Sequence, residues 1–283
     1  MANVRDIRRR IRSAKNIQQI TRAMKFVSAA RLRRAQERVI AARPYARQML
    51  EVLKSLSARV PVESHPLLAQ REQVNKIELV VITADRGMCG AYNTNIIRSA
   101  LEFLSGHPDQ VELNIIGKRG RDFFRRRPYP VHSEVSNILQ KLSFADAAAI
   151  AKDLIDGFTS GEQDEVWLLY NEFKSVVQQR IVCERLLPIE RMPDPEGDGE
   201  LDYIYDEPPE MVFARLLPRF VEAQVFRAML EAAASEQGAR MSAMEAATNN
   251  AAEMIDSLTL YANKIRQAGI TNDLIEVVSG AGQ

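Results

Sequence analysis

The residue types best suited to chemistry gather in one short run, Ala84-Asp85-Arg86-Gly87-Met88-Cys89-Gly90-Ala91-Tyr92-Asn93. It follows an apolar, β-branched stretch and precedes a helical one. Open α/β sheets bind ligands at such strand-to-helix turns, where glycine lets a phosphate approach a helix N-terminus. The spacing here is GxxG rather than GxGxxG, and no GxxxxGK[ST] occurs anywhere in the chain. A second turn, Gly117-Lys118-Arg119-Gly120, also falls short of the full pattern. Both therefore read as tight turns in which glycine supplies a positive φ. Cys89 has no His or other base nearby in sequence, so it reads as a thiol lining the turn rather than a nucleophile. Cys89 and Cys183 form no CxxC, which argues against a zinc site, a redox pair or a disulfide-built scaffold. The three histidines, His65, His107 and His132, lie outside HExxH and His-x-His spacings. The expectation is no catalytic residue, no cofactor and no metal.

The elements around these turns alternate. Lys76–Thr83, Val111–Ile116, Glu165–Tyr170 and Val176–Leu186 read as strands. Asn93–Leu104, Asp122–Arg126 and Phe144–Phe158 read as helices. Strand and helix in alternation predict a mostly parallel, Rossmann-like sheet over residues 76–190.

The two ends are different. Residues 1–59 contain no glycine and one proline, Pro44. Val4, Ile7, Ile11, Ala14, Ile17, Ile20, Met24 and Val27 recur at steps of three and four, the signature of a helix with one apolar stripe. From Met241, a seven-residue repeat places Met241, Thr248, Ile255 and Ala262 at one position and Met244, Ala251, Leu258 and Ile265 at the other, which predicts a coiled-coil seam. Pro44 and Pro218 are expected to kink or break their helices. Unbroken, residues 1–59 and 209–278 would extend about 90 and 105 Å, against a diameter of about 50 Å for a compact globule of this size. The expected fold is α/β: an antiparallel coiled coil of the N-terminal (1–59) and C-terminal (209–283) helices, projecting as a rod, with the α/β domain inserted between them.

Charge follows the same division. The chain carries 38 Lys+Arg and 37 Asp+Glu, a net of +1. Residues 1–59 hold 16 of the bases and 3 acids. The stretch Pro193–Glu210 holds eight acids and no base. A basic arm on an acidic body fits either an anionic partner for the arm or a solvated helix face. Tyr203-Ile204-Tyr205, within the acidic stretch, fits either a short edge strand or a contact patch. No run approaches the ~20 apolar residues of a membrane span, and the Arg-rich start has no apolar core of a signal peptide.

Several ordered blocks resemble the gamma subunit of F-type ATP synthases. They are Ile7-Arg8-Arg9-Arg10-Ile11, Ile20-Thr21-Arg22-Ala23-Met24-Lys25, Arg43-Pro44-Tyr45, Thr83 to Gly90 with Asn93, Ala234 to Met241, Ala243-Met244, Ala247 to Ala251, and Arg266 to Thr271. The resemblance implies a central rotor shaft without a catalytic site of its own. In this family the terminal helices thread a ring of alpha and beta subunits, and the α/β domain sits with epsilon on the membrane ring of c subunits. Proton flow then drives rotation and ATP forms on the beta subunits. It also implies a bacterial chain on the cytoplasmic face of the cell membrane, peripheral to it. By matching position, Met24, Lys25, Arg240, Gln267, Thr271 and Asp273 would meet the stator ring; Tyr203, Tyr205, Asp206 and Glu207 would form the foot on epsilon and the c ring. Lys25 stands where the family commonly has an acid. Gly238 and Gly269 stand where it usually has Ala or Ser, so a different local torsional compliance is expected there. The cysteine-bearing insert of plant plastid homologues is absent from the sequence.

Two other classes compete. A basic helix with a coiled coil superficially suggests a DNA-binding zipper, but there the basic region and the seam share one helix. A Rossmann-type enzyme would require saturable nucleotide binding by residues 76–188. The expectation is therefore protein partners and no nucleic acid.

Overall fold

The computed structural model describes residues 4–57, 65–176, 178–190 and 208–280. The elements run α1 (Val4–Ser57), β1 (Ile77–Ile82), α2 (Tyr92–Gly106), β2 (Val111–Ile116), α3 (Lys118–Phe124), β3 (Val131–Val135), α4 (Phe144–Ser160), β4 (Glu165–Phe173), β5 (Gln179–Leu187) and α5 (Pro209–Gly280). They form two compact units. One consists of the residues up to Ala30 together with those from Arg240 onward; the other is Arg31–Ala239.

The larger unit holds a five-stranded sheet of order β3-β2-β1-β4-β5. β1 pairs in parallel with β2 and β4, β2 in parallel with β3, and β4 antiparallel with β5. The central strand β1 is buried at every position, as a parallel strand covered on both faces must be. Its period of two feeds two cores. Ile77, Leu79 and Val81 pack with Ile96, Leu113 and Phe124 on the α2–α3 face. Val80 and Ile82 pack with Ala147, Leu154, Leu168 and Val221 on the other, beneath α4 and the first part of α5. α4 starts with a capping box, Ser143 with Asp146, and ends on Gly161 in the left-handed region at φ 80°.

Three sequence expectations change. β3 was not anticipated: its Val-His-Ser-Glu-Val alternation, half buried at an edge, lies just beyond Pro128 and Pro130, which hid it. The short helix expected at Asp122–Arg126 starts earlier, at Lys118. Both prolines lie inside helices, Pro44 in the 54 residues of α1 and Pro218 in the 72 of α5. Proline removes one backbone donor, which frees the carbonyl four residues earlier. Those carbonyls belong to Ile40 and Ala214, both exposed residues, where water can serve them.

In the smaller unit, the C-terminal repeat follows the expected seam. Met244 and Ala251 are buried, and Met241, Thr248, Ile255, Leu258, Ala262 and Ile265 are half-buried. The α1 stripe does not. Burial runs through Ile7, Ile11, Ala14, Gln18, Thr21, Lys25 and Ser28, a strict seven-residue repeat. Ile17, Ile20 and Val27 are left outside at 50%, 59% and 52% exposure. The stripe read from hydrophobicity departs from the seam after Ala14, because the seam keeps its seven-residue repeat through the polar Gln18, Thr21, Lys25 and Ser28.

Candidate functional site

The first candidate place is the turn after β1. Gly90 and Met88 both adopt positive φ, 59° and 60°. The side chains here close the turn on itself. Asn93 Oδ1 accepts from the Ala84 amide at 2.9 Å, and its Nδ2 donates to Cys89 Sγ at 3.2 Å. Asp85 Oδ1 accepts from the amides of Lys118 and Asn137, at 3.1 and 2.9 Å, which ties the turn to the start of α3. Tyr92 Oη donates to the Ala232 carbonyl at 3.1 Å, and Ala84, Cys89 and Tyr92 pack against Ala239. The glycines are thus part of a packed turn seated on α5, as the tight-turn reading expects.

Thr83 sets the second turn. Its Oγ1 donates to the Ile116 carbonyl and accepts from the Gly120 amide at 2.9 Å. A Cβ at Gly117 (φ 105°) would stand 2.1 Å from the Thr83 carbonyl oxygen, so only glycine fits there. A Cβ at Gly87 would meet Arg119 and one at Gly120 would meet Thr83, so each glycine pair lets two chain segments touch.

Titratable groups elsewhere are structural. Tyr170 Oη donates to Glu184 at 3.0 Å, and Arg227 from α5 reaches the same carboxylate. Burial pushes the Tyr170 phenol well above its ordinary range. Burial of its thiol, and then Glu184, push Cys183 up to about 11, so it is not a thiolate near neutral pH. Among the described residues, no group of three or more His, Cys, Asp or Glu is placed to hold a metal ion.

The second candidate place is the helix pair. Thr248 Oγ1 donates to Thr21 Oγ1 at 2.8 Å across the seam. Lys25 Nζ stands 2.6 Å from Glu245 Oε1. Met24 is half-buried beside them. Lys25 thus already has an internal acid, a partner that reading the lysine alone did not supply. The signal was available: Glu245 precedes the seam residue Thr248 by three, so it flanks the seam. Arg240 is 6% exposed, a buried base rather than a surface one. Gln267 and Thr271 are exposed, and Thr271 Oγ1 donates to the Gln267 carbonyl at 3.0 Å within α5. Asp273 belongs to the same helix. The structure therefore groups Met24 and Lys25 with the seam and places Gln267, Thr271 and Asp273 toward the end of α5. Tyr203, Tyr205, Asp206 and Glu207 lie outside the described residues.

Gly238 is explained by contact. A Cβ there would meet the Phe173 ring at 3.1 Å, so the glycine admits β4 against α5. Gly269 has nothing within 4 Å, and no packing reason for it is visible.

A family model described as ATP synthase matches residues 3–282. A protein of Solibacter usitatus (strain Ellin6076) named ATP synthase gamma chain is 52% identical, over 99% of this chain and 99% of its own length. Another with that name, from Desulfitobacterium hafniense (strain DSM 10664 / DCB-2), is 48% identical with 99% of each chain covered. Among solved structures, a chain of the central stalk and c-ring of Tetrahymena thermophila mitochondrial ATP synthase is 26% identical with a TM-score of 0.62, covering 81% of this chain and 99% of that one. A chain from the Euglena gracilis mitochondrial enzyme in rotational state 3 shares the fold, with a TM-score of 0.69 at 20% identity, covering 98% of this chain and 92% of that one.

Proposed function

We infer the working role of this chain from one premise: it belongs to the ATP synthase gamma-chain family and is the central-stalk, or rotor, subunit of an F-type ATP synthase. On that premise its terminal helices turn inside a ring of alternating alpha and beta subunits. Its sheet unit stands with the epsilon subunit on the membrane ring of c subunits. Ion flow turns that ring, the chain turns with it, and the beta subunits are driven through their nucleotide states. The chain itself carries out no catalytic step. It acts at the cytoplasmic face of the cell membrane as a peripheral subunit; among its described residues no helix is long and apolar enough to cross a bilayer.

The observation that carries this reading is the outward face of the helix pair. Ile17, Ile20 and Phe26 on α1, and Leu260, Leu274 and Ile275 on α5, are all at least half exposed. Side chains of this size, repeated along helices whose seam is already filled, call for an enclosing partner. Lys15 and Arg22 are exposed among them, which keeps the surface mixed and suits a contact that slides rather than locks. We assign Met24, Lys25, Gln267, Thr271 and Asp273 to the rotor–stator contact, with Arg240, 6% exposed, meeting it only through its small exposed edge, and Tyr203, Tyr205, Asp206 and Glu207 to the foot on epsilon and the c ring.

Co-expression with alpha and beta subunits tests the reading. The expected result is a stable complex whose ATPase activity requires this chain and whose rotation can then be observed. An alpha–beta ring that neither retains the chain nor responds to it would overturn the role.

A further inference from the structure

In the larger unit, one stretch of α5 bonds to the sheet as a strand would. β4 pairs with β1 only as far as Leu169, opposite Val81, yet β4 runs on to Phe173. Beyond Leu169 its backbone finds partners on α5. Ser235 Oγ donates to the Asn171 carbonyl at 2.9 Å, in a wholly buried place. Glu231 Oε2 accepts from the Phe173 amide at 3.0 Å. One turn earlier, Arg227 donates to Glu184 of β5. Helix side chains thus satisfy backbone groups that a neighbouring strand would otherwise serve.

Arg227, Glu231 and Ser235 are spaced four residues apart, a stripe of about 12 Å along one side of α5. The larger unit ends at Ala239 and α5 continues past it, so the stripe occupies the last turns before that boundary. Val225, Ala228 and Ala232 hold the same stretch in the core. Apolar burial is non-directional, whereas a hydrogen bond demands an angle as well as a distance. Three such bonds in one stripe, made to two strands, set the rotation of α5 about its own axis. The covalent connection alone, residues 188–208, adds two soft dihedrals per residue and sets no angle.

We propose that Arg227, Glu231 and Ser235 are positioning residues for torque: they hold the rotational register of α5 against β4 and β5, so that a twist of α5 is passed to the sheet unit. The proposal rests on the rotor reading and adds the place where the shaft is keyed. With the key removed, α5 turns in its seat under load. Hydrolysis then continues while less ion movement follows from it.

The test uses the whole enzyme in vesicles, assembled with this chain or its variants. ATP hydrolysis and ATP-driven proton pumping are measured on the same preparation. Glu231→Leu/Ser235→Ala removes two of the bonds, which should shift the keyed state against the unkeyed one by about tenfold or more. The expected result is hydrolysis close to wild type with several-fold less pumping per ATP hydrolysed. Glu231→Gln retains an acceptor for the Phe173 amide and should retain the wild-type ratio. If the double variant does not assemble, Ser235→Ala alone removes a single hydroxyl and should show a smaller loss of the same kind. A pumping-to-hydrolysis ratio equal to wild type would overturn the key, whether both rates hold or both fall together. A ratio lost equally in Glu231→Gln would overturn its hydrogen-bonded basis. Failure of the rotor reading shows separately, as a wild-type chain that neither assembles nor supports pumping.

Discussion

Thr83 shows how much of this fold rests on single polar contacts. Its hydroxyl bridges the Ile116 carbonyl and the Gly120 amide in a wholly buried site. Thr83→Val keeps the shape and leaves that amide unpaired. The expected loss is about 1–3 kcal/mol, read as a lower midpoint in chemical denaturation. Glu78 is buried on β1, where Asn114 Nδ2 donates to it at 3.1 Å. Burial raises its carboxyl above the ordinary 4.5, against the opposing pull of Asn114 and His132; Asp153 and Glu112 add to the rise. The folded state thus prefers the protonated acid. The stability this gives is complete below the ordinary value and declines as pH rises through the elevated one. Glu78→Gln should flatten that decline. A denaturation midpoint with the same pH slope in both proteins would refute the assignment. The chemistry at this scale was partly legible: the spacing of Gly87 and Gly90 already argued for a turn over a phosphate loop. The roles of Asn93 and Asp85 in closing the turn were not, because Asn93 reaches back nine residues to the Ala84 amide and Asp85 reaches forward to Lys118 and Asn137.

Among the elements, the sheet was the most readable and the N-terminal helix face the least. β1 and β2 are continuous apolar runs, and their type and place follow from burial on both faces. β3 alternates and lies at an edge, and two prolines before it masked the period. In α1 the expected stripe follows hydrophobicity, whereas the observed seam keeps a seven-residue repeat, so Thr21 and Ser28 lie inside while Ile20 and Val27 lie outside. The two assignments predict different mutants. Ala14→Leu, at a buried seam position, should cost the chain about 1–3 kcal/mol through overpacking. Ile17→Ala, on the exposed face, should change stability of the isolated chain by no more than about 0.5 kcal/mol. Thermal melts of both variants decide between the seam and the stripe. The Lys25–Glu245 pair is partly solvated, so Lys25→Ala should cost under about 1 kcal/mol, with most of the seam's stability remaining.

For the molecule as a whole, the chain order itself carried the architecture: two glycine-poor ends around an alternating centre. The boundary between the two compact units was not readable, because α1 and α5 each belong partly to both. The charge division does bear on assembly. Arg8, Arg9 and Arg10 lie in the basic arm, and reversing all three to Glu should lower the yield of complex with alpha and beta subunits on native gels; an unchanged yield would remove charge from the account. The seam's repeat in α1 is seven residues, shorter than two turns of a straight helix, and such a repeat winds paired helices into a left-handed superhelix. A twist applied in the sense of that winding presses Ala14, Thr21 and Ser28 further inward. A twist in the opposite sense draws them apart. The pair is therefore a chiral spring, stiffer to torque of one hand than of the other.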